Sequence, residues 1–189
     1  FGLRHLEDQP MAVQLCALPT DPVTNPRIRW KPVHHSPGRN RATCHLDDGV
    51  SKYRTVPSYL TDALGDLVAG AGGLYTSDAV QRFSFELEPQ ELRWVLRREG
   101  ALAEVTIYSF PDSTASYALP DTAGTIRWAS KPARSVFAHA VVEAAQAVLV
   151  QHGEEGYREK WIEHPFPTAA LQDLLRLHLS EDDCELVHS

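Results

Sequence analysis

The stretch Phe83–Phe110, FSFELEPQELRWVLRREGALAEVTIYSF, constrains the fold more than any other part of the chain. Phe83, Phe85 and Leu87 alternate with Ser84, Glu86 and Glu88, the period of a strand with one face buried. Pro89-Gln90 fits a turn, because proline is preset for the first central position. Leu92, Trp94 and Leu96 then alternate with Arg93, Val95 and Arg97 as a returning strand, and Glu99-Gly100 is the next turn. Leu102–Phe110 carries apolar groups on both faces, which predicts a central strand. A fourth strand is expected at Thr125–Ala129, with a weak extra one near Ser116–Leu119. Such an antiparallel meander keeps one face wet and covers the other with helices.

Three helices are expected around it. Pro57–Ala71 places Leu60, Leu64, Leu67 and Val68 at helical spacing, with Ser58 as N-cap and Gly70-Ala71-Gly72-Gly73 as its C-terminal stop. Ser135–Gln151 is the longest, with Phe137, Ala140, Val141, Ala144 and Val148 on one face and Gly153 as its end. A short turn at Glu154–Trp161 and a break at Pro165-Phe166-Pro167 precede a last helix over Thr168–Leu179, with Leu171, Leu174, Leu175 and Leu179 facing the core. The expected class is therefore α+β, a meander of about four strands packed against three helices, over residues 56–189.

Residues 1–55 are expected to be a proline-rich, partly extended arm, since six of the thirteen prolines fall there. Short extended pieces such as Arg27–Trp30 are candidates for pairing at a sheet edge. Between Val23 and His45 lie Arg27, Arg29, Lys31, Arg39 and Arg41 and no acidic residue, which reads as either a solvated linker or a basic arm for an acidic partner. The sequence opens on Phe1 and its single methionine is Met11, so a start at Met11 with a foreign 1–10, or an incomplete start, is expected.

The net charge of −7 argues against general nucleic-acid binding, which needs a basic surface to displace counterions. The acid concentrates in residues 154–189, with 9 Asp/Glu against 3 Lys/Arg. Cys16, Cys44 and Cys184 are too far apart and odd in number for a disulfide framework, and with no long apolar run a cytoplasmic protein is expected.

No catalytic or cofactor motif stands out. His34, His35, Cys44, His45, Asp47 and Asp48 cluster in sequence, but adjacent residues on an extended chain point to opposite sides, so a metal site is not expected. Glu86, Glu88 and Glu91 are candidates for a carboxylate pair, with Glu86 and Glu88 on one strand face. The glycines at 70–73 follow a helix instead of opening one, so they are no phosphate loop. An enzyme is the less favoured class. Its form is a small enzyme, metal-dependent or not, with a site between the arm and the sheet.

Three sequence patterns carry a resemblance in style to a known group: Phe85-x-x-Glu88-Pro89 with Trp94, Glu155-Gly156-Tyr157-x-x-x-Trp161, and Phe166-Pro167-x-x-x-Leu171. Over residues 57–180 the chain resembles small bacterial toxin-immunity and accessory proteins. That resemblance implies an acidic α+β inhibitor that binds a toxin enzyme, without catalytic residues of its own. The expected function is thus non-enzymatic protein binding through an acidic surface, with a basic toxin or nuclease as partner. Glu154, Glu155, Glu159 and Glu163 would supply the charge, and Trp161 and Phe166 would be either core residues or aromatic anchors of that surface.

Overall fold

Among the described residues, seven strands and three long helices share one hydrophobic core. The computed structural model describes residues 27–33, 41–77, 79–161 and 164–182. The chain enters through β1 (Arg27–Val33), β2 (Arg41–Asp47) and β3 (Lys52–Thr55), an antiparallel sheet in the order β1-β2-β3. After α1 (Ala63–Thr76) come β4 (Gln81–Glu86), β5 (Glu91–Glu99), β6 (Leu102–Phe110) and β7 (Thr125–Ser130), a second antiparallel sheet in sequence order. A four-residue helix α2 (Ser113–Ser116) lies in the β6–β7 connection. The helices α3 (Arg134–Lys160) and α4 (Thr168–Glu181) close the chain. The α+β class and the meander stand as expected, and no helix among the described residues is long and apolar enough to cross a membrane.

Residues 27–33 and 41–55 are not an arm. Ile28, Trp30, Ala42, Cys44 and Leu46 are buried in the same core as the second sheet. The reason is alternation: in Arg27-Ile28-Arg29-Trp30-Lys31 every second residue is apolar, so one face of β1 seeks cover, and α3 supplies it. Residues 1–26 and 34–40 lie outside the described residues, and with them His34, His35, Cys16 and the question of residues 1–10. Trp30 meets Phe85 edge-on at 5.8 Å and Trp161 at 5.9 Å. Phe85 leads on to Trp94 at 5.1 Å, and Trp161 to Tyr157 at 6.2 Å. A continuous run of rings thus ties β1, β4, β5 and the end of α3 together.

The first helix begins later than expected. Ser58 is no N-cap: its N–H donates to the Glu86 carbonyl (2.8 Å), and it bridges Arg41 of β2, so Pro57-Ser58 stitches the two sheets. Asp62 caps instead, accepting from the Gly65 N–H at 3.2 Å. The helix also runs straight through Gly70–Gly73. A Cβ at Gly70 would stand 2.5 Å from Phe83, so this glycine serves the close approach of α1 to β4, not a helix end. Gly153, with φ 64°, does break α3 where the sequence placed the stop. Residues 116–119 belong to α2 and a turn, not to a weak strand. In α4 the fourth core position is His178, 1% exposed, and Leu179 is exposed at 42%.

Replacing Trp30 with alanine should destabilise the whole protein by about 3–5 kcal/mol in urea denaturation. Circular dichroism and tryptophan fluorescence should still report one coincident transition. A detachable arm would instead leave the main transition where it is in the parent protein.

Candidate binding surface

Charged side chains of the described residues gather in four places. Three are internal or largely satisfied, and one faces outward.

The first lies on the open side of β4–β6, beside a concavity of about 610 Å³. Glu91 is 5% exposed and accepts from Ser84 Oγ (2.5 Å), Arg93 Nε (2.9 Å), Arg93 Nη2 (3.1 Å) and Ser116 Oγ. Arg93 also donates to the carbonyls of Leu119 (2.8 Å) and Ser116 (2.9 Å), and its guanidinium lies 4.3 Å from the centre of the Phe110 ring. Burial pushes the Glu91 carboxyl up, but the bonds from Arg93, Ser116 and Ser84 outweigh it and hold the group below its ordinary value. Such a carboxylate is ionised and already saturated, so it has no proton to give. Its role is to pin the β6–β7 connection to the sheet. Of the three candidate carboxylates, register sets Glu86 opposite Glu91 beside the same concavity, but Glu91 is committed to Arg93, and Glu88 sits apart in the turn at φ 53° against Arg41.

The second joins the ends of three helices. Asp182 accepts from Arg134 Nη2 (2.9 Å) and the Tyr75 hydroxyl, and lies 3.0 Å from His178 Nδ1. The Arg134 guanidinium stacks 4.1 Å from the Tyr75 ring. Burial raises Asp182, and the bonds from Tyr75, Arg134 and His178 more than reverse it. The Tyr75 hydroxyl is raised by burial and by Asp182, so it stays protonated. These groups are spaced like an acid–base cluster, but they are bonded to one another and buried, which makes them a latch of α1, α3 and α4.

The third is Asp62 with Asp66 at the start of α1. Burial raises both carboxyls, Asp62 adds to the effect on Asp66, and His164 opposes it.

The fourth is the outward face of the β1–β3 sheet. Register sets Arg29 opposite His45 and His45 opposite Arg54, and sets Arg27 opposite Asp47 and Asp47 opposite Lys52. Arg27, Arg29, Lys31, Lys52 and Arg54 are all exposed, and His45 is half-buried among them. Asp47, bonded to Lys52 at 3.0 Å, is the one carboxylate on this face among the described residues. Burial, then Arg54, Lys31 and Arg29, depresses the His45 pKa, so the ring feels the field of its neighbours. Arg27 and Lys52 each stand across from Asp47, whereas Arg29, Lys31 and Arg54 have no carboxylate across from them. Here five cations meet one anion on a protein of net charge −7.

Cys44 points into the core behind this face, and burial pushes its thiol up to about 12, far from a nucleophile. Cys44 and His45 therefore face opposite ways, and no group of three or more His, Cys, Asp or Glu side chains among the described residues is placed to hold a metal ion. Of the expected partner-binding residues, Glu154, Glu155 and Glu159 are exposed on the last turns of α3, and Glu163 lies outside the described residues. Trp161 (0% exposed) and Phe166 (5%) are core residues, so the aromatic-anchor reading is corrected. Trp161 packs on Trp30 and donates from Nε1 to the Thr61 carbonyl, and Phe166 packs edge-on to Tyr157 at 5.4 Å. The basic face was missed as a surface because its cations come from two strands, β1 and β3, that are separated by β2. The signal that finds it is the alternation in Arg27–Lys31 and in Lys52-Tyr53-Arg54. No family model, curated protein or solved structure matches this chain.

Glu91→Gln should destabilise the protein at neutral pH. With a depressed folded pKa, the stabilisation from Glu91 is present above its unfolded value and lost as pH falls through the folded one. The gap between parent and variant should therefore shrink on acidification below the ordinary glutamate range, as followed by thermal melts from pH 7 to pH 3.

Proposed function

We propose that this chain is a non-enzymatic protein-binding domain whose docking surface is the outward face of the β1–β3 sheet, and whose partner is an acidic protein. The observation that carries this is the row Arg29–His45–Arg54 flanked by Arg27, Lys31 and Lys52, with Asp47 alone to offset it. Cations at alternate positions of a strand stand about 6.8 Å apart. That spacing on a firm sheet presents a fixed charge pattern with little left to order on binding. Opposite charge on the partner would steer association and weaken with salt.

One feature favours an acidic protein over a nucleic acid. Among the described residues the cationic face carries no outward Phe, Tyr or Trp on which bases would stack, since Trp30 is buried and Tyr53 alternates to the inner side with Leu46. The bonded, buried state of the Glu91 and Asp182 clusters supports a binding role over catalysis. The buried thiol of Cys44 is compatible with a reducing, cytoplasmic setting.

A second reading keeps an inhibitor of the immunity type, with the acidic end of α3 against a basic toxin or nuclease. It is favoured by the exposure of Glu154, Glu155 and Glu159, and it has lost its two aromatic anchors to the core.

Poly-glutamate is a sufficient charge probe for the first reading. The parent should bind it with an affinity that falls as salt rises, and Arg29→Glu with Arg54→Glu should weaken binding about tenfold or more. Unchanged binding by that double variant would overturn the reading. Under the second reading, Glu154→Gln, Glu155→Gln and Glu159→Gln together should reduce binding of polylysine, while unchanged binding would remove it.

A further inference from the structure

β1 is the edge of its sheet: among the described residues it pairs only with β2. In an antiparallel pair alternate residues bond to the partner strand, and the residues between them direct N–H and C=O away from it. The outer edge of β1 thus presents a row of backbone donors and acceptors. Beside that edge runs a groove of about 500 Å³. Its one wall is Arg27 to Lys31 without a gap. The lining takes five successive residues of β1 and none of β2, so the groove runs along the outer edge of the strand. Its other wall comes from α3, where Ala144 and Ala147 leave room and Glu143 and Gln151 mark the ends.

We propose that the groove between β1 and α3 takes an extended acidic segment of a partner protein as an additional strand of the β1–β3 sheet. This rests on the cationic face being the docking surface and says how the partner engages it. Strand addition draws affinity from main-chain bonds and specificity from alternate side chains. The walls dictate the alternation. Side chains of the added strand on the outward face lie across from Arg27, Arg29 and Lys31, and opposite charge is favoured there. Side chains on the inward face meet Ala144, Ala147 and the carboxylate of Glu143, so small apolar groups fit and acids do not. The segment is therefore acidic at every second position and apolar between. The same cations disfavour pairing with a second copy of β1, whose edge carries like charge.

The probe is a fluorescent, capped seven-residue peptide of alternating glutamate and valine. Its block isomer, with the same composition and charge, is the control. The alternating peptide should bind the full chain at least severalfold more tightly than the block isomer, with NMR amide shifts centred on Ile28 and Trp30. Ala147→Trp, at an exposed helix position, fills the groove. It should abolish that preference while leaving poly-glutamate binding intact. Equal affinity of the two isomers, or no effect of Ala147→Trp, overturns strand addition and leaves the cationic-face reading standing. If Arg29→Glu with Arg54→Glu changes neither peptide nor poly-glutamate binding, the cationic face itself is not the docking surface. A single-stranded oligonucleotide bound more tightly than the alternating peptide, and insensitive to Ala147→Trp, would replace the acidic segment with nucleic acid.

Discussion

The packing of Trp30 against Phe85 and Trp161 is the contact on which the rest of this structure depends. Those rings belong to three parts of the chain that are far apart in sequence: the first sheet, the second sheet and the end of α3. Each has an apolar face too small to be stable by itself, and a three-stranded sheet with a wet side is marginal without cover. Joined edge-on, they bury one another, and the run continues through Tyr157 to Phe166 and through Trp94 to Phe83. The close approach of α1 at Gly70 and the Ser58 bond to Glu86 then fix how the two sheets meet.

That arrangement decides where charge can act. Buried charge is tolerated only when bonded, and Glu91 with Arg93 and Asp182 with Arg134 meet that condition. They hold loops and helix ends, and their donors and acceptors face one another. On the outward face of the first sheet, among the described residues, Asp47 alone offsets the cations. These cations stand on β1 and β3 with His45 and Asp47 of β2 between them, held there because Ile28, Trp30, Cys44 and Leu46 must point inward. The core sets the strand alternation, and the alternation puts the arginines and lysines on one plane.

Much of the fold was legible where alternation was strong on both faces. Leu102–Phe110 was bounded correctly for that reason, and the neighbouring strands to within a few residues. Where a local signal competed with a tertiary one, the local reading failed. Pro57-Ser58 looks like a helix start, but the Ser58 N–H is taken by the Glu86 carbonyl from another sheet. Four neighbouring glycines look like a helix end, but one of them is required by Phe83. Leucine spacing in α4 pointed to Leu179, while Tyr75 and Asp182 drew His178 inside. The density of proline hid the Arg-Ile-Arg-Trp-Lys alternation of β1. The acidic excess of residues 154–189 was plain in composition, as was the basic run. That three strands bring the basic run together with Lys52 and Arg54 is a fact of register, and register over so few residues is not written in the sequence alone.

Among the described residues β1 is an unpaired edge strand, which poses a physical problem whatever its biological use. Unpaired backbone groups invite another strand, and proteins commonly protect such edges with lysine, arginine and proline. β1 carries Arg27, Arg29, Lys31 and Pro32, all of which fit that protective pattern. Protection alone, however, needs only repulsion between like edges, which one or two charges on β1 would provide. It does not call for further cations on β3, at Lys52 and Arg54, two strands away from the open edge. Those residues do nothing for the edge, and only Lys52 is offset, by Asp47. A surface that extends its positive field beyond the strand needing protection is better matched to attracting an anion than to excluding a copy of itself.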